Sequence, residues 1–258
     1  MTDLLSTLSS TPGDAINWPM LKIRYQTDPD KIATLLPPGI EPASKPEVIL
    51  TVYNFPVNGE PELGLRTGVA AFHDGKEGEF TLGYGIDKEA EIFISQEKFG
   101  QPKYPAEIKY FRMMDHVAAR VTHQNYTFME FAGQITEALD NGPEFEEYEF
   151  WLKYSRKASY TETGFDFPPH VVNVYSKYGT AQKLNVQGEL TLRDSPWDPI
   201  AKALPVKSEV EACLWSPVFL DRRVTLGQPL DAEAFAPFAD TIGNSRWPGE
   251  NGGPKKNS

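Results

Sequence analysis

One cysteine, Cys213, stands in 258 residues. A single thiol can close no intrachain disulfide and no thiolate metal cluster, and a reducing cytoplasm is the simplest setting for such a chain. Histidine is also scarce. His73, His116, His123 and His170 show no ligand spacing, so no metal site is expected. Basic charge is short as well: 25 Lys and Arg against 36 Asp and Glu leave a net charge of −11. Nucleic-acid and anionic-membrane binders need a basic face, so neither partner is expected. A small anionic substrate remains compatible, because one buried cation can outweigh a distant acidic surface. No apolar run approaches the roughly 18 residues of a spanning helix. Met1 to Ser10 has neither the basic start nor the apolar core of a secretory leader, so none is expected there.

Familiar cofactor and hydrolase motifs are missing too. Gly83-Tyr84-Gly85 is a lone G-x-G in a strand context, with Lys88 where a third glycine would be needed. There is no phosphate-binding loop, no H-E-x-x-H and no G-x-S-x-G elbow. No cofactor is expected.

What the chain does contain is a succession of strands. Val48–Tyr53, Leu65–Phe72, Glu79–Ile86, Glu89–Ser95, Ile108–Met114, Val117–Thr122, Tyr148–Tyr154, Val171–Tyr175, Leu184–Leu192 and Val206–Leu214 all read as strands. Three helices are expected. Asp28-Pro29-Asp30 opens the first, with a capping aspartate and proline at the first helical position. Phe128, Phe131, Ile135 and Leu139 repeat at helical spacing and form the second, and Asp231–Phe238 the third. Strands that follow strands predict an α+β, mainly β fold, an antiparallel barrel-like domain with peripheral helices. One domain is expected over 1–247, followed by a disordered Gly-, Pro- and Lys-rich tail, 248–258.

The segment Gln101-Pro102-Lys103-Tyr104-Pro105 sets one lysine between two prolines. Proline fixes its own φ and restricts the residue before it, so Lys103 rides on stiff backbone. A lysine attacks a carbonyl as the free amine, which burial or a nearby cation favours. The plain alternative is a surface lysine in a Pro-rich turn.

Three ordered blocks stand along the chain. The first is Arg24-Tyr25-Gln26-Thr27-Asp28 with Leu35-Leu36-Pro37-Pro38 and Ile40-Glu41. The second runs from Gly75 to Phe80 through Tyr84-Gly85-Ile86-Asp87 and Ser95-Gln96-Glu97 to Pro102-Lys103. The third is Leu204-Pro205-Val206-Lys207. With these blocks the sequence resembles the acetoacetate decarboxylase-like superfamily over most of its length. The resemblance implies a cone-shaped, mainly antiparallel β-barrel with helices around it, a homo-oligomer, and Lys103 as a Schiff-base lysine. The chain also departs from the decarboxylases. Tyr104 stands where they carry a second lysine, Trp18 where they carry an arginine, and Tyr84 where they carry a methionine.

These departures direct the functional reading toward superfamily members that are aldolase-dehydratases or hydratases acting on 2-oxo acids such as pyruvate. A β-keto acid decarboxylase is the alternative, and a barrel that only binds a small apolar ligand is a third. Catalytic candidates are Lys103, Tyr84 and Glu62, the last as the nearest match, across a short indel, to the catalytic glutamate that the resemblance implies; substrate-binding candidates are Arg66, Gln101 and Tyr104. Each has a plainer alternative: Glu62 as a solvated loop glutamate, Tyr84 as barrel filling, Arg66 as a paired arginine and Gln101 as a turn residue. Because alternate residues of an extended chain face opposite ways, Tyr104 should point away from the Lys103 amine.

Overall fold

The computed structural model describes residues 18–57 and 59–256; Met1 to Ser10 lies outside them. In chain order the elements are β1 (Met20–Gln26), α1 (Pro29–Ala33), β2 (Glu41–Pro42), β3 (Glu47–Val57), β4 (Glu60–His73), β5 (Lys76–Ile86), α2 (Glu89–Phe99), β6 (Lys103–Pro105), β7 (Glu107–Met113), β8 (His116–His123), β9 (Tyr126–Ala138), β10 (Phe145–Arg156), β11 (Phe165–Leu192), α3 (Ile200–Ala203), β12 (Glu211–Pro229) and α4 (Ala232–Phe235), with a 3₁₀ turn at Ala236–Phe238. No helix among the described residues is long and apolar enough to cross a membrane.

Every strand belongs to one sheet, ordered β10-β5-β4-β3-β1-β12-β11-β9-β8-β7, with β2 on β4 and β6 on β5. β10 also pairs with β11, so the path from β10 round to β11 returns on itself as a ring. The architecture is the mainly β one expected. Pairing is antiparallel except for β10 with β5 and β6 with β5. Leu21, Leu50, Leu65, Phe80, Phe150 and Leu214 fill the main core, and their burial supplies most of the drive to fold.

Helix α1 forms as expected: Asp28 accepts from the Asp30 amide and Pro29 takes the first turn. At the opposite end of the chain the Asp231 side chain accepts from the Glu233 and Ala234 amides to start α4.

Five assignments differ. Glu89–Ser95 is not a strand but the front of α2, stopped by Gly100 in the left-handed conformation at φ 67°. Glu91, Ile92 and Ser95 make its buried face, and Phe93 and Ile94 lie exposed, so the alternation of Ile92 and Ile94 does not mark a strand. Phe128–Leu139 is not a helix but lies along β9, with Met129 and Phe131 buried and Ala132 and Gln134 exposed. Val171–Tyr175 and Leu184–Leu192 are parts of one strand, β11, bulged between them. The strand begun at Val206 instead starts at Glu211 and runs on to Pro229, past Pro217, which sits beside the bulge at Thr180 and Gln182. A bulge is where a strand tolerates proline. Finally, the segment after Pro248 is not free throughout: Pro248 and Gly252 bridge to Thr241 and Ile242.

Candidate functional site

The stiff segment read from the sequence becomes the short strand β6. Gly100 ends α2, and a Cβ there would meet the Leu152 carbonyl oxygen at 2.3 Å. The buried Arg246 guanidinium donates to the Gly100 and Leu152 carbonyls at 3.0 and 2.9 Å, tying the end of α2 to β10. The Tyr84 amide then bonds the Pro102 carbonyl at 2.8 Å, and Lys103 pairs beside Tyr84.

Directly paired residues on neighbouring strands share a face of the sheet. Register therefore draws one line across five strands: Lys22 beside Thr51, Thr51 beside Arg66, Arg66 beside Tyr84, and Tyr84 beside Lys103. All five line one cavity of about 330 Å³. Glu147 and Glu149 on β10, Tyr53 on β3 and Glu62 on β4 complete its polar wall, and Met20, Phe55, Phe99, Trp215 and Phe219 its apolar one.

The Lys103 side chain is 6% exposed, and its amine donates to Glu62 Oε2 at 2.8 Å. Glu62 is buried in β4, not solvated in a loop. Its second oxygen accepts from the Tyr53 hydroxyl at 2.9 Å. Gly64 makes this reach possible, since a Cβ there would sit inside the Tyr53 ring. Burial, and then the Glu62 charge, hold the Tyr53 phenol protonated far above the usual tyrosine range.

The Tyr84 hydroxyl donates to Glu149 Oε2 at 2.5 Å. Burial and the Glu149 charge push this phenol up too, against the opposing pull of Arg66. Burial alone would raise the Glu149 carboxyl, but Arg66 at 3.2 Å and Arg222 at 3.8 Å outweigh it and hold it at about 2. Arg66 is held between Glu149 and Glu79. Lys22 donates to Glu147 at 2.6 Å and lies 4.1 Å over the Trp215 ring; burial lowers its pKa against the pull of Glu147.

Of the sequence candidates, Lys103, Glu62, Tyr84, Arg66 and Gln101 meet in the cavity. Tyr104 does not. It points to the opposite face, as the alternation predicts, with its ring centroid 4.7 Å from that of His123, which in turn bonds the buried Asp198; burial and then the Asp198 charge raise the Tyr104 phenol well above the usual range. The lone G-x-G gains its reason here. Cβ atoms at Gly83 and Gly85 would meet the Tyr104 ring at 2.7 and 3.2 Å, so these glycines make room for that ring while Tyr84 between them faces the cavity. Sequence reading missed Lys22, Tyr53, Glu147, Glu149 and Arg222. Lys22 and Tyr53 occupy strands whose alternation could have flagged an inward polar side chain.

The family model for acetoacetate decarboxylase (ADC) matches residues 5–230. The chain belongs to the acetoacetate decarboxylase family. That membership places it among lyase-type enzymes. Solved ADC-like structures agree on the fold. An acetoacetate decarboxylase from Legionella pneumophila is 21% identical with a TM-score of 0.70, covering 86% of this chain and 88% of its own. The enduracididine biosynthesis enzyme MppR, solved in complex with pyruvate, is 13% identical with a TM-score of 0.63, over 84% of this chain and 91% of its own. An ADC-like enzyme from Sphingomonas wittichii RW1 is 17% identical with a TM-score of 0.60, over 79% and 91%. No curated protein matches.

Proposed function

We propose that this ADC-family chain forms an imine between Lys103 and the carbonyl of a 2-oxo acid such as pyruvate, and uses it for aldol condensation with dehydration or the reverse hydration. The observation that carries this reading is the buried Lys103 amine, 2.8 Å from a carboxylate oxygen in a cavity also lined by Tyr53, Tyr84 and Tyr178. MppR has been solved with pyruvate and with the condensation product of pyruvate and imidazole 4-carboxaldehyde, which supports the same substrate class here.

Glu62 takes a proton from the Lys103 ammonium, and the free amine adds to the substrate carbonyl. Loss of the carbonyl oxygen as water leaves the C=N bond. That imine accepts the electron pair of a C–H bond on the next carbon when a base removes the proton, giving an enamine. The enamine forms a C–C bond to an aldehyde carbon, whose oxygen takes up a proton. Departure of that oxygen as water, with loss of a second proton from carbon, gives the unsaturated imine, and water then releases the enone from Lys103. Glu62 and Tyr84 carry these protons, and Gln101 orients the substrate.

Borohydride with pyruvate adds a stable mass at Lys103 in the wild type and none in Lys103→Ala. Equal labelling of both proteins, or labelling of neither, would sink the proposal.

Decarboxylation of a β-keto acid is the second reading, favoured by one observation: Lys22 is a second buried amine in the same cavity. Tyr104 in place of an adjacent lysine argues the other way. Acetoacetate should therefore release carbon dioxide much more slowly than the roughly 1–1000 s⁻¹ of ordinary enzymes. A manometric rate within that range would put the decarboxylase reading first.

A further inference from the structure

Four basic side chains line the cavity, and three are committed. Lys22 bonds Glu147, Lys103 bonds Glu62, and Arg66 is held by Glu149 and Glu79. Arg222 differs. Its one ion pair is to Glu149 Oε1 at 3.8 Å, beyond hydrogen-bond reach, and its guanidinium donors have no hydrogen-bonded partner among the described residues. Its side chain is 39% exposed, against 7% for Glu149. Of the four, Arg222 is thus the one that meets solvent, whereas the Lys103 side chain, at 6%, is enclosed. The neighbouring Arg223 shows the contrast, bonded to Asp221 at 2.8 Å and laid over Tyr175 away from the cavity.

We infer that Arg222 binds a carboxylate at the far end of the substrate, away from the carbonyl that meets Lys103. This rests on the imine reading above and adds a substrate class to it: oxo acids, or their condensation partners, that carry a second, distal carboxylate. The planar fork of an arginine matches a carboxylate with two parallel hydrogen bonds. Glu149 does not use up that capacity, because Arg66 at 3.2 Å, Tyr84 and Trp151 already answer its charge and its Oε2 lone pairs.

Position decides which carboxylate is meant. Lys103 and Arg222 share no contact: Lys103 pairs beside Tyr84, the Tyr84 hydroxyl meets Glu149, and only the far oxygen of Glu149 faces Arg222. The carboxylate of a 2-oxo acid is attached to the imine carbon itself and cannot span that chain of contacts. A group several carbons away can. Phe55, Tyr178 and Phe219 also line the cavity, with Phe219 5.3 Å from Phe55 and 4.9 Å from Tyr178 between ring centroids, an apolar surface that suits a methylene spacer.

The test compares 2-oxoadipate with its 6-amide, which keeps the shape and removes the distal charge. Borohydride labelling of the wild type at limiting ligand should favour the diacid by about ten- to hundred-fold, the usual worth of a charge-assisted hydrogen bond. In Arg222→Gln the preference should fall to near unity, and Arg222→Lys should restore part of it. An unchanged preference in Arg222→Gln, or no preference in the wild type, overturns the inference. If nothing labels, the imine reading has failed, and calorimetric binding of the same two compounds to the same three proteins still decides the role of Arg222. There the diacid must bind the wild type more tightly than the amide, and Arg222→Gln must erase the difference.

Discussion

Tyr84→Phe and Glu62→Gln each still trap pyruvate on Lys103 at long times but form the enone about 10²–10⁴-fold more slowly, the range general acid–base catalysis supplies. Glu62 touches the Lys103 amine, and Tyr84 is paired beside Lys103 on the same face of the sheet. In the imine proposed above, these two groups are the ones that would hand protons to the atoms bonded near it. Tyr104→Phe serves as the control. Its hydroxyl lies on the far face with Asp198, so it should alter stability more than the ratio of trapping to turnover. Trapping and enone formation measured on all three variants check this. Full turnover by Tyr84→Phe together with loss in Tyr104→Phe would remove Tyr84 from the chemistry.

Glu149→Ala is expected to be the most destabilising substitution in the cavity, by about 3–5 kcal/mol, because it strands a buried guanidinium. Arg66 would keep only Glu79. The same carboxylate sets an acid limit. Its folded value of about 2 lies below the usual 4.5. A depressed acid stabilises the folded state above its unfolded pKa, and that stability is lost as pH falls toward the folded value. Ionised Glu149 thus contributes on the order of 3 kcal/mol near neutrality, disappearing between about pH 4.5 and pH 2. Urea midpoints across that window should fall less steeply in Glu149→Gln than in the wild type. Parallel slopes would mean the ion pair carries no linkage.

The buried cavity lysine was legible because its constraint is local: two prolines and a chain of short-range signals fix Lys103 whatever lies around it. Glu62 was recovered only through resemblance, since the loop-like Gly59-Glu60-Pro61 before it conceals a strand. Arg222 and Glu149 could not be read. They reach the cavity through β10, β11 and β12, whose pairing is set by contacts distant in sequence. Two helix–strand errors have the same origin. In α2 the residues Ile92 and Ile94 alternate by chance, and Gly100 was the better signal. In β9 the period of two runs through Met129, Phe131, Gly133 and Ile135 but is hidden by Gly133. A Cβ there would meet the Gln187 carbonyl oxygen at 2.7 Å, and opposite it stands Gly188, with the Phe131 ring against both. A glycine required by close backbone approach erases one beat of the pattern.

Strand β11 runs for 28 residues and bonds β9, β10 and β12. Opening it separates β10 from β12 and breaks the ring, so its central amides cannot exchange with solvent by fraying of a single hairpin. Val172 and Val174, bonded on both sides, should exchange only through global unfolding, whereas the β7–β8 hairpin at the sheet's free edge can open alone. Deuterium uptake would then divide the molecule into a slow ring that keeps the cavity and a fast margin that does not.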